Sequence, residues 1–340
     1  MKSGFNIRFA KISERNSVMS FIENHWSKDH VLAHDHALFD FQHLENDRLS
    51  FVIALDPEGM LVGVLGYIGY GCKNGNQDIA LALWKVIPNL PDPQLGIKLI
   101  HYLQNNLSIR YIHCVGVNKR VLGIYSYLGF NVGMLDHFAA FNKNCKKFRI
   151  AVPPSKIKAV SNESIYEFCE KKFLDATLKK LYESLFYKEK IPYKTKEFFI
   201  RRYVKHPYFS YIYHEVRLKD VFQGFIVSRE VKHDRGIALR IIEVVSHNKN
   251  TTSIINDFAT VLNDSAYEYI DVYASGLDKN ILTSKNYENI NDADGTIVPE
   301  YFQPFEMKNI DIHYVSTAKE TITLFKGDGD QDRPNFKRPA

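Results

Sequence analysis

Residues 94–100 have the sequence QLGIKLI, which follows a proline-rich turn and places a glycine at the start of an amphipathic segment. About one strand later, residues 118–130 have the sequence NKRVLGIYSYLGF. Because Gly96 has no side chain, a ligand can approach the backbone closely, and a helix N-terminus favours negative charge. The first segment therefore predicts a helix start that can bind a phosphate group. The second segment contains Asn118 and Tyr125 and is separated from this helix by about one strand.

The hydrophobic pattern around these segments alternates between strand and helix periods. Turn residues separate the elements, and the prolines at positions 88, 91 and 93 end the third strand. In chain order the pattern predicts a helix at 13–25, strands at 51–55, 61–70 and 78–86, a helix from 95, a strand at 110–117, a helix at 119–128 and an extended segment at 130–141. This order predicts an α/β fold with a mixed sheet.

The second half of the chain repeats the same order after a boundary rich in lysine and proline. The pattern predicts helices at 165–187 and 195–205, a hairpin at 208–218 and 221–229, a strand at 237–245, a helix at 253–262, a strand at 269–273 and a helix at 279–285. We interpret the repetition as a diverged internal duplication. The predicted division is a first domain at 1–145, a linker at 146–162, a second domain at 163–325 and a tail at 326–340.

Composition places the chain among ordinary globular proteins. It has 44 basic and 39 acidic residues and a formal net charge of +5, which suits a small anionic ligand without requiring nucleic acid. The four cysteines lie far apart in the sequence, so we expect reduced thiols in the cytoplasm. The N-terminus lacks an apolar signal region, and no run of about 18 apolar residues predicts a membrane span.

The spacing of residues 94–130 resembles the acyl-CoA site of the GCN5-related N-acetyltransferases (GNAT family). In that family an Asn ends a strand and is followed by a small residue, a Tyr and Gly-Phe, as at Asn118, Val121, Tyr125 and 129–130. The glycine loop matches only in part, since Gln94 stands where a glycine is usual. The resemblance implies two GNAT-like α/β domains, each a mixed, mostly antiparallel sheet flanked by helices, and acetyl-CoA or another acyl-CoA as donor.

The same resemblance implies roles for particular residues. The oxyanion would bind a backbone N–H at the end of the third strand, near Leu83, Lys85 and Val86, whereas the pyrophosphate and pantetheine of CoA would contact Gln94, Leu95, Gly96, Ile97, Lys98 and Asn118. Tyr125 would protonate the departing CoA thiolate, because a phenol held beside the sulfur can act as a general acid. Asp78 and His113 are candidate bases, with a buried structural role or deprotonation through water as the alternatives.

The segment at 26–43 is polar and rich in histidine. In GNAT folds the region after the first helix forms part of the acceptor pocket, which makes Trp26, His30, Asp35 and Asp40 candidate substrate-binding residues. His30 and His34 have a spacing that could bind a metal, but no third ligand is identifiable, so we expect no metal. A solvated loop is the alternative interpretation.

The second half lacks the donor-site residues when it is aligned on the first by element order. Leu282 replaces Tyr125, Ser275 replaces Asn118, and the loop at 246–252 contains no glycine. Asn286 takes the place of Gly129, and asparagine tolerates the left-handed backbone that such a turn uses. The second half is therefore predicted to keep the fold and to have lost the CoA chemistry.

The tail at 326–335 has the sequence KGDGDQDRPN. Its aspartates imitate a calcium loop, but Arg333 stands where such a loop needs glycine, so calcium is not expected. Together with residues 206–208 (HPY) and 299–302 (PEYF), the tail resembles proteins encoded among bacterial surface-polysaccharide biosynthesis enzymes. This resemblance covers most of the chain and implies an amino-sugar acceptor. Asp328, Asp330 and Arg333 would then bind sugar hydroxyls or the amine, and an acidic solvated tail is the alternative.

Three functions remain open from the sequence. The first is transfer of an acetyl or related acyl group from acyl-CoA to the amine of a sugar or sugar nucleotide, with a small-molecule partner and no nucleic acid. The second is a Fem-like aminoacyl or peptidyl transferase that uses charged tRNA. The third is a non-enzymatic binding protein on a degenerate GNAT scaffold, which the partial glycine loop permits. The sequence leaves the oligomeric state open.

Overall fold

The computed structural model describes residues 4–172, 174–188, 190–320 and 322–335. Two β-sheets, each mixed and mostly antiparallel, are flanked by helices, which confirms the predicted fold class. Within residues 4–145 the elements are β1 (Asn6–Lys11), α1 (Arg15–His25), α2 (Val31–His34), α3 (His36–His43), β2 (Leu44–Glu45), β3 (Arg48–Leu55), β4 (Leu61–Lys73), β5 (Asn76–Val86), α4 (Leu95–Asn106), β6 (Ile109–Val117), α5 (Leu122–Tyr127), β7 (Asn131–Met134) and β8 (Asp136–Phe141).

The rest of the chain forms further strands and helices. They are β9 (Glu167–Lys171), α6 (Asp175–Glu183), α7 (Leu185–Lys188), α8 (Lys196–Phe199), β10 (Ile212–Leu218), β11 (Val221–His233), β12 (Gly236–Ser246), α9 (Asn248–Phe258), β13 (Tyr269–Ala274), α10 (Lys279–Ser284), β14 (Glu288–Asn289) and β15 (His313–Ser316). A single π-helical turn, Ile200–Val204, follows α8 directly.

A long hairpin forms the centre of each sheet. β4 and β5 turn at Asn74 and Gly75, and β11 and β12 turn at Asp234 and Arg235, with positive φ at all four residues. This is the backbone of a two-residue turn whose twist matches that of the strands. The next strand pairs in parallel in both sheets, β6 with β5 and β13 with β12, so the two halves share one topology at their centres.

The two sheets exchange strands. The first has the order β1-β3-β4-β5-β6-β15-β7, and the second has the order β14-β8-β13-β12-β11-β10-β9. Only Leu135 separates β7 from β8, although these strands belong to different sheets. β15 returns from the far end of the chain and lies between β6 and β7. The predicted domain boundaries stay a prediction, since strands from both sides of them contribute to each sheet.

One predicted element was wrong. The helix predicted at 165–187 is a strand, β9, followed by α6 and α7, because residues 167–171 pair along β10 at the edge of the second sheet. The extended segment predicted at 130–141 is divided between two sheets. The other predicted elements are present, with bounds shifted by a few residues at most ends.

Helices cover both faces of the first sheet. Leu95, Leu99 and Leu103 of α4 are buried against one face, and α1–α3 pack on the other around Phe39 and Phe51. None of the helices in the described ranges combines the length and apolar character that crossing a bilayer requires. The four cysteines are unpaired.

Gly224 lies where β11 passes close to β12. Its φ is +142°, and an ideal Cβ at this position would lie 2.0 Å from the carbonyl oxygen of Val245. We expect Gly224→Ala to lower the free energy of unfolding by more than about 2 kcal/mol, measured by urea denaturation. Gly59→Ala is the control, because Gly59 also has positive φ (+84°) but open space around it. Gly59→Ala should lower the free energy of unfolding by about 1 kcal/mol. Equal losses of stability in the two variants would contradict the steric argument.

Candidate functional site

β5 and β6 separate partway along their length. They pair in parallel only where residues 77–80 meet residues 109–113. β5 continues to pair with β4 as far as Val86, so the edge of residues 81–86 that faces β6 has no strand partner in the described chain. We call this wedge the splay. Unpaired backbone groups at such an edge can hydrogen-bond an extended ligand.

The N-terminus of α4 lies close to the end of β5. Asp92 accepts hydrogen bonds from the backbone N–H of Gln94 (3.0 Å, Oδ1) and of Leu95 (3.3 Å, through the Asp92 carbonyl), and from Lys98 Nζ (2.6 Å, Oδ2). The hydrogen bond from Lys98 lowers the pKa of Asp92. A carboxylate therefore already lies at the helix start where the sequence predicts a phosphate, and Lys98 pairs with it.

Trp84 joins three of the predicted segments. Its indole Nε1 donates to the carbonyl oxygen of Gly96 at 3.2 Å, and its ring meets that of Tyr125 edge-on at a centroid distance of 5.3 Å. An ideal Cβ on Gly96 would lie 3.2 Å from the indole, so the glycine lets the ring pack on the first turn of α4. The sequence analysis missed Trp84, although a tryptophan at the end of a strand directly before this turn was a usable signal.

Tyr125 projects from α5 into the core and is 2% exposed. Its ring packs between Trp84 and Phe130, and burial raises the pKa of its phenol well above the usual value. The hydroxyl therefore keeps its proton at neutral pH. Gly129 has a φ of +82°, the left-handed helix end that the sequence predicts.

The other predicted donor-site residues surround the splay. Asn118 is exposed at the end of β6, and its Oδ1 accepts from the backbone N–H of Arg120 at 3.0 Å. Leu83 is buried against α1–α3 on the opposite face from Trp84. Lys85 and Val86 are half-buried at the end of β5, and Leu95 is fully buried in the core beneath α4.

The two candidate bases differ in their contacts. Both oxygens of Asp78 are occupied, by Arg110 (2.8 and 2.5 Å) and by the backbone N–H of Tyr193 (2.8 Å), which is a structural ion pair. His113 is buried opposite Ala80, where the splay begins. Its Nδ1 lies 3.0 Å from Ser316 Oγ, and its Nε2 has no partner in the described chain. Burial lowers the pKa of His113 to about 4, so the ring is neutral.

Some of the predicted acceptor-binding residues lie far apart in the sequence but close together in the structure. Arg333 donates to the carbonyl oxygen of Asp330 at 2.9 Å and lies 3.1 Å from His30 Nε2. The hydroxyl of Tyr208 donates to the carboxylate of Asp35. Burial and the Arg333 guanidinium lower the pKa of His30 to about 4, so the imidazole is neutral beside the guanidinium.

Trp26 and Asp40 are not part of this group. Trp26 is 45% exposed at the end of α1, and Asp40 pairs with Arg15 at 2.5 Å. Within the described residues no group of three histidine, cysteine or acidic side chains is arranged to hold a metal ion.

The described part of the tail is buried between the sheets, which makes the solvated-tail alternative wrong. Asp328 lies 2.6 Å from Lys194 Nζ, and Asp332 lies 2.6 Å from Arg229 Nη2. Arg229 and Lys326 hold the pKa of Asp332 well below its usual range despite burial. Because a buried charge needs a partner, these ion pairs fix the tail in place.

A cavity of about 420 Å³ opens beside the tail. Aromatic rings and charged side chains line it together: Tyr208, Phe209, Tyr301, Phe302, Arg229, Glu230, Lys232, Glu300, Lys326, Gln331 and Arg333. The side chain of Gln331 lies against Gly116 of β6, where an ideal Cβ would be 2.1 Å from its amide nitrogen. The cavity therefore borders the β6 side of the splay. The Nε of Arg333 is buried without a hydrogen-bond partner in the described chain.

The corresponding opening of the second sheet is filled by the protein itself. β12 and β13 pair only at residues 239–241 and 270–272, and the backbone N–H of Ser275 donates to Leu324 at 2.8 Å beyond that point. Leu282 is fully buried. The predicted left-handed turn at Asn286 was wrong, because its side chain bridges Ser161 and Asn256 and its φ is not positive.

Comparisons with known proteins add information about the fold alone. No family model matches the chain, and no curated protein matches its sequence. A GCN5-related N-acetyltransferase from Anabaena variabilis is similar in structure, with a TM-score of 0.57, 14% identity, and coverage of 92% of this chain and 72% of that one. A probable N-acyltransferase from Enterococcus faecalis gives a TM-score of 0.53, 7% identity, and coverage of 92% and 72%.

A third similar structure is a GCN5-related glucosamine N-acetyltransferase region of a fungal multi-domain β-N-acetylglucosaminidase. The TM-score is 0.52 at 11% identity, and the match covers 93% of this chain but only 38% of the fungal one. The chain thus adopts the fold of the GCN5-related N-acetyltransferases.

Proposed function

We propose that the protein is an N-acyltransferase that uses acetyl-CoA or a related acyl-CoA and binds it at the splay between β5 and β6. The observation that carries the proposal is the convergence of three groups at one opening. These are the unpaired edge of residues 81–86, the N-terminus of α4 at Gly96, and the protonated phenol of Tyr125, all joined through Trp84.

Each part of the donor has a matching group at the splay. The pantetheine amides would hydrogen-bond the free edge of β5 as an added strand does. The pyrophosphate would bind the N–H groups at the start of α4 beside Lys98, displacing the carboxylate of Asp92. Trp84 fills part of the opening in this conformation, so donor binding includes movement of the indole.

The chemistry follows from these positions. The acceptor amine attacks the thioester carbonyl, and a backbone N–H near Leu83, Lys85 and Val86 stabilises the oxyanion. The tetrahedral intermediate then collapses, its C–S bond breaks, and Tyr125 protonates the departing thiolate. Of the two predicted bases, His113 is neutral and its Nε2 has no partner in the described chain. We therefore propose that His113 accepts the proton that the acceptor amine loses.

The acceptor we propose is the amine of a sugar or sugar nucleotide used in surface-polysaccharide biosynthesis. The cavity beside the tail supports this choice. Its cations pair with nearby carboxylates, Arg229 with Asp332, Lys326 with Glu300 and Lys232 with Glu230. Donors and acceptors therefore lie side by side in its wall, and a sugar hydroxyl can both donate and accept a hydrogen bond. Aromatic rings in its wall offer apolar faces to a sugar ring.

A non-enzymatic binding protein is the second candidate. Two observations favour it: the Trp84 indole packs on Gly96, and the Asp92 carboxylate lies at the helix start where an acyl-CoA phosphate would bind. A protein whose donor site is permanently closed would keep the fold and bind no acyl-CoA.

Calorimetric titration with acetyl-CoA separates the two candidates. We expect binding by the wild type and its loss in Gly96→Trp, because the new side chain would occupy the start of α4 next to Trp84. Lys249→Trp is the matched control, since Lys249 is exposed in the first turn of α9, the equivalent helix of the second half. Lack of binding by the folded wild type would overturn the acyl-CoA proposal and favour the binding protein.

A further inference from the structure

A second cavity, of about 340 Å³, lies between the two halves of the chain. β2 and the adjoining ends of β4 and β5 form one wall, and α8 with the π-helical turn forms the other. Gly71 lets the walls approach, since an ideal Cβ there would lie 2.3 Å from Thr195 Cγ2. The two walls therefore meet closely at one side of the cavity, which stays partly open to solvent.

Arg201 lines this cavity from the π-helical turn. The adjacent Arg202 points the other way and donates to the carbonyl oxygens of Gly329 and Asp332, at 3.2 and 3.1 Å. Arg201 is half-buried, yet its guanidinium makes no hydrogen bond or ion pair with any described residue. A π-helical turn changes the direction of successive side chains and is frequent at functional sites. A half-buried guanidinium without such contacts can form a two-pronged ion pair with the carboxylate group of a ligand.

The charges around the cavity restrict that partner. Two carboxylates, Glu45 and Glu197, line it with the single cation Arg201. Glu45 also accepts a hydrogen bond from Tyr67 at 3.2 Å, which fixes one of its oxygens. Burial lowers the pKa of Arg201, and the field of Glu45 opposes that effect. A dianionic phosphate would face two carboxylates of like charge, which is unfavourable at short range.

We propose that this cavity binds a free α-amino acid. Its carboxylate would form a two-pronged ion pair with Arg201. Its ammonium group would donate to Glu45, and its side chain would contact the ring of Phe198. A zwitterion satisfies the cation and the carboxylate together, which neither a simple anion nor a simple amine can do.

The site is separate from the proposed acyl-transfer site. Gln77 lines the cavity, whereas Trp84 lies seven residues further along β5, roughly 23 Å away at ~3.3 Å per residue. The inference therefore does not depend on acyl-CoA binding. The amino acid would bridge the two halves at a point distant from the splay.

The test is calorimetric titration of the protein with the protein amino acids one at a time, and with acetate and inorganic phosphate as simple anions that lack an ammonium group. We expect at least one amino acid to bind and both simple anions to bind far more weakly. Arg201→Gln should reduce its affinity roughly tenfold to a hundredfold, since a hydrogen bond to a charged group is lost. Arg201→Lys should recover part of that loss.

Lys205→Gln is the matched control, because it removes the same charge from an exposed position just after the π-helical turn. It should leave amino-acid affinity unchanged. Glu45→Gln should weaken amino-acid binding as well, because the ammonium group loses its charged partner. Absence of binding by every amino acid, phosphate binding in their place, or equal affinity in Arg201→Gln and wild type would each overturn the proposal. Melting temperatures of the variants show whether a loss reflects unfolding.

Discussion

Asp271→Asn is expected to lower the free energy of unfolding by about 3–5 kcal/mol, because it removes one of the two carboxylates that neutralise the buried Arg240 guanidinium and leaves only Glu300, at 3.2 Å. Arg240 and Asp271 are both fully buried, and Arg240 donates to the carboxylate at 2.7, 3.0 and 3.1 Å. His137 Nε2 lies 3.0 Å from the same carboxylate. Urea denaturation followed by circular dichroism measures the effect.

Asp175→Asn is the matched control, since it makes the same chemical change in an exposed ion pair with Lys196. An exposed pair contributes about 0–1 kcal/mol, so the variant should be nearly as stable as the wild type. Equal losses in the two variants would contradict the buried-charge argument.

The same ion pair makes stability depend on pH. Burial raises the pKa of Asp271, but Arg240 and His137 outweigh it and hold the pKa at about 2. An unfolded aspartate has a pKa of about 3.9. Since the folded pKa is the lower one, the stabilisation is complete above the unfolded pKa and is lost as the pH falls toward 2. Asp271→Asn should therefore show a shallower loss of stability over this pH range than the wild type.

Tyr125→Phe is expected to reduce kcat by roughly 10²–10⁴-fold if the phenol protonates the departing thiolate. Burial keeps that phenol protonated, and the substitution removes only the oxygen from a ring packed between Trp84 and Phe130. The measurement is release of CoA thiol from acetyl-CoA with glucosamine as the first acceptor, because it is a simple member of the proposed class of amino-sugar acceptors.

Tyr127→Phe is the matched control, because Tyr127 lies two residues along the same helix and is 84% exposed. It should keep the wild-type kcat. The affinity of Tyr125→Phe for acetyl-CoA should change little, which separates loss of the acid from loss of binding. An unchanged kcat in Tyr125→Phe would remove the proposed acid role.

Local signals predicted much of the first half. Periodicity located the strands and α4, and the glycine at 129 indicated a left-handed helix end that the structure contains. The sequence also grouped His30, Asp330 and Arg333 as acceptor residues, and they do meet. It could not show that Trp84 packs on Gly96, because a contact between a strand and a following helix depends on how the two elements cross.

Strand pairing was the main failure, and the reason is physical. Hydrophobic alternation reports which face of a strand is buried but contains no information about its neighbour. Nearly every residue of β8 is buried, and nothing in that pattern indicates that its neighbours are β13 and β14. The buried tail failed for a related reason. Asp328 and Asp332 resemble solvated residues until Lys194 and Arg229, far away in sequence, neutralise them.

The strand exchange also affects how the chain is made. During synthesis β6 emerges long before β15, its neighbour in the finished sheet, and about 200 residues must follow before that neighbour appears. Until then β6 has an open edge, which is a place where unfinished chains can pair with each other. The nascent first half therefore needs protection from self-association. The first sheet is complete only once β15 has emerged, whereas the second sheet needs no strand beyond β14.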